Sequence, residues 1–334
     1  MTSSLHRLAV TAAVVAFVVI VLGAYVRLSH AGLGCPDWPG CYGQLTWPVE
    51  SHEVLKANEA FPERPVEQHK AWKEMVHRYL AGSLVLLVVA INVLAWRPRN
   101  RGARVRGLAA ALLLLILFQA ALGMWTVTLK LLPVVVMGHL LGGLATFGML
   151  LWLSWRTRRA DAAAGAHALA PLRTLILTGL AVLILQIALG GWTSANYAAL
   201  ACPDLPTCHG QWLPEVNMAD AFTLWREIGV DYEGGVLDLQ ARTAIHLTHR
   251  VGAVVAFLLL GWLAVRLLRS WPVRREGLVL LALLVTQVTL GLLNVALYLP
   301  LPNAVAHNGV AALLLGYMLW LTYRSRGRRV IRHA

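Results

Sequence analysis

Apolar runs of about twenty residues, separated by polar stretches, organise this chain. Eight can be marked off, at about 8–28, 74–95, 107–127, 133–154, 172–192, 243–265, 277–298 and 303–322. A helix rising 1.5 Å per residue needs roughly 20 residues to cross a hydrocarbon layer roughly 30 Å thick. Within that layer the backbone must satisfy its own hydrogen bonds, which a helix does inside a single segment. The pattern therefore predicts an all-α integral membrane protein with eight transmembrane helices. The first run is too long, and too poorly provided with a small-residue cleavage site, to read as a secretory signal.

Composition agrees, with 58% hydrophobic and 13% charged residues, and the charge adds orientation. Arg97, Arg99, Arg101, Arg104 and Arg106 follow the second run, and Arg156, Arg158 and Arg159 the fourth. Arg266, Arg269, Arg274 and Arg275 follow the sixth, and Arg324, Arg326, Arg328, Arg329 and Arg332 make the tail basic. Short basic links stay in the cytoplasm, so both termini are expected inside. The net charge of +13 is mostly this bias, which excludes a soluble nucleic-acid-binding face and points to anionic inner-leaflet lipid.

The two long polar stretches, 29–72 and 193–241, then lie on the outer, periplasmic side of a cell inner membrane, and hold all four cysteines. "CPDWPGC" brings Cys35 and Cys41 six apart, and "CPDLPTC" does the same for Cys202 and Cys208. An oxidising compartment and this short spacing predict one disulfide within each loop. Closures of this size stabilise by about 2–3 kcal/mol in a chain-entropy account. The segment "DAFTLWREIGVDY" (220–232) reads as an amphipathic surface helix that can serve as a lid.

The cysteine loops are one sign of a duplication. Cys35 and Cys202, Cys41 and Cys208, and Gln44 and Gln211 are each 167 apart, while "QAALGMWTV" (119–127) matches "QVTLGLLNV" (287–295) at 168. Two tandem four-helix bundles follow, residues about 1–160 and 161–334, related by an internal pseudo-two-fold axis along the membrane normal.

Histidines fall at matched places within the runs. His139 lies 168 before His307, and His77 with Arg78 sets against His249 with Arg250. An ionisable group within a membrane span costs on the order of 2.5–3.5 kcal/mol and needs a partner. Isolated membrane histidines often bond neighbouring helices. Four in symmetric pairs suit axial ligation of two haem irons, one per half, better than zinc or copper, which would draw on carboxylates or thiols nearby. The halves differ three residues before the first histidine, where Glu74 stands against His246. A carboxylate beside a porphyrin can take a proton, so the first half is the expected reaction site and the second a resident cofactor site. Two readings of Glu74 stand side by side, the catalytic one and an inexpensive salt bridge to Lys73 or Arg78 at the helix entrance. Arg27, Arg78, Arg242 and Arg250 are candidates for haem propionates or for ordinary snorkelling. Gln119, Gln186 and Gln287, each opening a Q-x-x-L-G run, read as interhelical hydrogen-bonding groups beside closely packed glycines.

Taken together, "CPDWPGC", "EMVHR", His139, "HLTHR" and His307 resemble the haem A synthases, over nearly the whole chain. The resemblance implies an oxidoreductase that oxidises a methyl group of haem O to the formyl group of haem A in cytochrome oxidase assembly. It implies that His249 and His307 ligate a haem b, that His77 and His139 surround the substrate haem O, and that Glu74 is catalytic. It also implies a haem O synthase as donor of the substrate; a homo-oligomer is left open. Two other classes compete. One is a quinol-linked dihaem b-type electron carrier, told apart by its porphyrin content. The other is a quinone-coupled thiol–disulfide oxidoreductase, which leaves the histidines unexplained and lacks the tight C-x-x-C spacing. A zinc site from Cys202, Cys208 and His209 would lack a complete tetrahedral set.

Overall fold

The computed structural model describes residues 2–97, 102–158 and 166–326. Arg99, Arg101, Arg159, Arg328, Arg329 and Arg332, and the expected junction of the halves at 160/161, lie outside the described residues. Among the described residues the chain is helical, without strands. Eight helices are long and apolar enough to cross a membrane. They are α1 (Thr2–Leu28), α2 (Gln68–Trp96), α3 (Ala103–Thr128), α4 (Pro133–Thr157), α5 (Arg173–Ala195), α6 (Leu239–Leu268), α7 (Arg274–Ala296) and α8 (Leu301–Ser325). The multi-pass membrane class is thus as expected.

The helices outrun the apolar runs, because a helix does not stop where its polar turns begin. Helix α2 starts at Gln68 rather than near 74. Glu74 therefore lies two turns in and is only 4% exposed, not at the inexpensive entrance its sequence position suggested. Helices α4 and α8 begin with a proline in the first turn, where the missing N–H is no loss. Before them the chain reverses through two left-handed residues, Lys130 and Leu131 in one case and Tyr298 and Leu299 in the other. The Leu131 amide closes on the Thr126 carbonyl at 2.8 Å and that of Leu299 on Asn294 at 2.7 Å, satisfying last-turn acceptors.

Packing follows chain order. Helix α1 contacts α2 and α4, and α3 contacts the same two; α5 contacts α6 and α8, and α7 likewise. Further contacts run from α1 and α4 to α8, and from α4 to α5. Two apolar cores lie in the parts of the helices away from the cysteine loops. One gathers Ala9, Ile91, Leu112 and Leu150 from α1–α4, and the other Ile176, Leu260, Leu280 and Met318 from α5–α8. Valines and leucines such as Val89, Val93, Val254 and Leu258 point outward, as lipid-facing positions do.

The segment 220–232 departs from expectation. Its only helix is the last part of the single turn Met218–Ala221, and the rest is irregular. Arg226 turns back to the carbonyl and the carboxylate of Asp220, at 2.5 and 2.9 Å, and Gly229 takes a left-handed φ of 96°. Those local bonds offer the backbone a better arrangement than helix. The chain beyond acts as a strap over the first four helices. Tyr232, 3% exposed, packs with Leu33, Leu122 and Leu132, its amide bonds the Lys130 carbonyl at 3.0 Å, and Asp231 and Glu233 pair with Arg64 at 2.7 and 2.9 Å.

Candidate functional site

Each of the four predicted histidines rests on a glycine of the preceding long helix. A methyl built on Gly23 would stand 3.0 Å from Cε1 of His77, and one on Gly123 3.3 Å from Cε1 of His139. The corresponding distances are 3.1 Å from Gly190 to His249 and 3.1 Å from Gly291 to His307. The glycines thus provide the room that four imidazoles need between tightly packed helices. His77 and His139 sense each other electrostatically, as do His249 and His307. The structure brings the four together as two pairs, one in each set of helices. Their rings remain partly accessible, yet Nδ1 of His77, His139 and His307 is buried without a hydrogen-bond partner.

Gln186 and Gln287 prove to be histidine neighbours, a role the sequence reading left unassigned. Gln186 Nε2 lies 3.0 Å from Nδ1 of His249 and Gln287 Nε2 lies 3.2 Å from Nε2 of His307. Gln119 lies instead against Gly142, where an added methyl would strike its amide nitrogen. The Q-x-x-L-G runs carried the signal, since the glutamine sits one turn before the glycine that receives the ring.

Above the histidines, both cysteine loops are built alike. Cys35 pairs with Cys41 and Cys202 with Cys208, with S–S distances of 2.02 and 2.04 Å. In the first loop Asp37 accepts the amides of Tyr42 (2.6 Å) and Gly43 (2.8 Å); in the second Asp204 accepts those of His209 (2.7 Å) and Gly210 (3.0 Å). Arg78 reaches up from α2 to the carbonyls of Asp37 and Gly40 at 2.9 and 2.5 Å, and Arg250 from α6 to those of Cys202, Asp204 and Thr207 at 2.7, 2.9 and 2.9 Å. Arg78 and Arg250, two of the four arginines offered for propionates or snorkelling, thus clamp their cysteine loops. The matched arginines beside matched loops were a usable signal. Arg27 donates to the Ser194 carbonyl at 2.6 Å, and Arg242 to that of Asp238 at 3.4 Å.

Glu74 and His246 both lie against the backbone of the loop regions above them. Glu74 accepts the Cys35 amide at 2.9 Å and pairs with Arg78 at 2.5 Å, the salt bridge named as one alternative, while Lys73 instead lies over the Tyr25 ring. The Cys202 amide points to Nδ1 of His246 at 3.4 Å, and that nitrogen is 3.0 Å from the Ala198 carbonyl.

In the second loop the Thr207 hydroxyl, then the Gly210 and His209 amides, hold the Asp204 carboxyl at about 2, below its ordinary 3.8. A depressed value means the carboxylate supports the fold above its unfolded pKa and stops doing so as pH falls through the folded one. The loop is expected to keep its amides protected down to about pH 2 and to lose protection of His209 and Gly210 below it. Hydrogen exchange followed against pH checks this; loss of protection already near pH 4 would contradict it.

Buried imidazole nitrogens without partners, set beside glycines, fit a haem iron as axial donors. The cysteines do not fit zinc, because disulfide formation has removed the thiolates that Cys202 and Cys208 would bring to His209. A crevice of about 360 Å³ between the two sets of helices contains none of the histidines. Its lining, including Leu141, Leu144, Trp152, Ile184 and Leu319, is apolar.

Eight membrane-competent helices carrying paired intramembrane imidazoles under disulfide-closed loops define a multi-pass membrane protein of the haem-handling class. The chain belongs to the cytochrome oxidase assembly protein family, whose pattern spans residues 6–319. It is 49% identical over 316 residues to the heme A synthase of Shewanella oneidensis, covering 93% of this chain and 95% of that protein. Likeness to the heme A synthase of Beijerinckia indica is 30% over 334 residues, covering 91% and 88%. For that of Allorhizobium ampelinum it is 26% over 324 residues, covering 90% and 85%.

Proposed function

We propose that this protein is a haem A synthase, a membrane oxidoreductase that converts haem O to haem A for cytochrome oxidase. Membership of the family and 49% identity to a heme A synthase over most of the chain support the activity. The observation that carries the site assignment is the fourfold contact of histidine on glycine, repeated at matched positions.

In this reading the chain is a tandem repeat, about 1–160 and 161–334, with a pseudo-two-fold axis along the membrane normal. The constant sequence offset and the like helix neighbours in both halves support it. Both termini are cytoplasmic and the disulfide loops face outward, in keeping with the arginine bias. His77 and His139 receive haem O. His249 and His307 hold a haem b, which when bound supplies one-electron transfer. A haem O synthase is the donor of the substrate.

In this reading water supplies the oxygen that the methyl carbon gains, the hydrogens lost leave as protons, and the electrons pass to an oxidant outside the substrate site. Glu74 is the nearest built-in acceptor for a proton, one helical turn before His77 and closed off from bulk water by the loop whose Cys35 amide it holds. Arg78 fixes the carboxylate and the loop at once, so the lid of the site and its acid–base group move as a unit. His246 takes the Glu74 position in the other half and is engaged with loop backbone rather than with iron.

His246→Glu is accordingly expected to keep a low-spin bis-histidine spectrum, with at most a shifted reduction potential. A high-spin or haem-free product would make His246 a ligand and sink this partition. The activity itself is tested by the porphyrin content of the protein purified after supply with haem O. Haem b together with haem O or haem A is the expected result. Haem b alone would instead indicate a dihaem electron carrier.

A further inference from the structure

One ligand position differs between the halves in a way the assigned roles do not explain. Helices α1, α3, α5 and α7 each carry a Leu-Gly pair whose glycine receives an imidazole. Four residues before that glycine stand Gln119, Gln186 and Gln287 in three of the helices, and Val19 in α1. Gln186 and Gln287 bond the histidine resting on their own helix through their amides. At α1 nothing does so. Among the described residues no hydrogen bond reaches the ring of His77, and its Nδ1 is buried without a partner.

A second substitution matches the first. A methyl on Gly252 would fall 2.3 Å from Oε1 of Gln186, so Gly252 clears the space in which that amide sits. In the histidine register, where His249 and His77 are 249 − 77 = 172 apart, the counterpart of Gly252 is Leu80, since 252 − 80 = 172. Amide and space occur together at His249, and both are absent at His77.

We propose that Gln186, seated over Gly252, is a positioning residue that locks His249 onto the resident haem. Val19 and Leu80 leave His77 unlocked, so that the first half can take up haem O and give back its product. The inference rests on the haem A synthase reading above. A ligating imidazole whose second nitrogen is held keeps its tautomer and ring orientation, and loss of that outer partner typically weakens metal binding about 10–100-fold. As placed, Gln186 Nε2 donates to the His249 carbonyl at 3.0 Å and lies 3.0 Å from Nδ1. With the amide turned over, Gln186 gives up the carbonyl bond and its oxygen accepts from Nδ1–H, leaving the ring's Nε2 its lone pair for iron. A resident cofactor gains from such a hold. A substrate that must leave after oxidation does not, and in the first half Nδ1 of both His77 and His139 is buried without a partner.

The test follows haem transfer from the purified, loaded protein to a haem-scavenging apoprotein, together with the optical spectrum and the reduction potential. Gln186→Val is expected to release haem b about tenfold faster while keeping a low-spin spectrum as long as haem stays bound. Gln186→Glu, which restores an acceptor for Nδ1–H, is expected to recover slow release and to lower the potential. Val19→Gln combined with Leu80→Gly is expected to slow release of haem O from the first half about tenfold, with haem b unaffected. Unchanged release and potential in Gln186→Val, with haem b still lost in His249→Ala, would overturn the lock and leave the ligand assignment standing. Full retention of haem b in His249→Ala would overturn the site reading itself.

Discussion

Glu74→Ala is expected to abolish conversion of haem O, by about 100-fold or more, while leaving haem b content unchanged. The size follows from removing a positioned proton acceptor, which is typically worth about 10²–10⁴-fold. Haem b is spared because His249 and His307 lie on α6 and α8, away from Glu74 on α2. Some stability goes as well, since Glu74 and Arg78 are buried partners and a buried charge left alone costs about 3–5 kcal/mol. Arg78 still has the carbonyls of Asp37 and Gly40 to bond, so the lower end applies. Glu74→Gln separates the effects, because an amide can keep the Cys35 bond but cannot accept the proton. Haem O conversion, measured by extraction and mass, decides it; full conversion in Glu74→Ala would end the reaction-site assignment.

His249→Ala and His307→Ala are each expected to yield protein without haem b and without the low-spin signal of bis-histidine iron. Either change removes one of only two axial donors, and the methyl left in place carries no lone pair. The glycine beside each ring, Gly190 or Gly291, then faces only that methyl, so the packing loosens where the cofactor would have to be gripped. His77→Ala is the contrasting variant, expected to lose conversion and keep haem b. Pyridine haemochrome analysis and electron paramagnetic resonance distinguish these outcomes. A low-spin haem b at ordinary stoichiometry in His249→Ala would show that the ligands lie elsewhere.

Much of this architecture could be read from the sequence, for physical reasons. A membrane span must be apolar for about twenty residues, so the number of long helices was legible in the runs themselves. Their outer ends were not, because the polar turn from Gln68 to Lys73 is helical without being apolar. That shift of one or two turns changed the meaning of Glu74, from a surface acid to a buried one beneath a folded loop. The imidazole positions and the cysteine pairs were legible because each motif recurs in the sequence. What Arg78 and Arg250 do was not, since a guanidinium bonds propionates and backbone carbonyls equally well and only the loop's path chooses between them. The irregular course of 220–232 was hidden for a related reason, as its apolar spacing imitates a helix while Arg226 and Gly229 bend it otherwise.

The junction between the two halves has a history written into it. Arg27 meets the Ser194 carbonyl, and His30 stacks on Tyr197 with ring centroids 5.6 Å apart, both members of that stack in the left-handed conformation. Residues 27 and 194, like 30 and 197, are separated by the same 167 positions as the cysteine pairs, so the partners across the seam are copies of one another. A surface that binds its own duplicate is isologous, the kind of contact that two identical chains use to form a closed dimer. On the tandem-repeat reading proposed above, a half-length ancestor with four helices would already have owned the seam, and gene fusion would have freed its two copies to diverge.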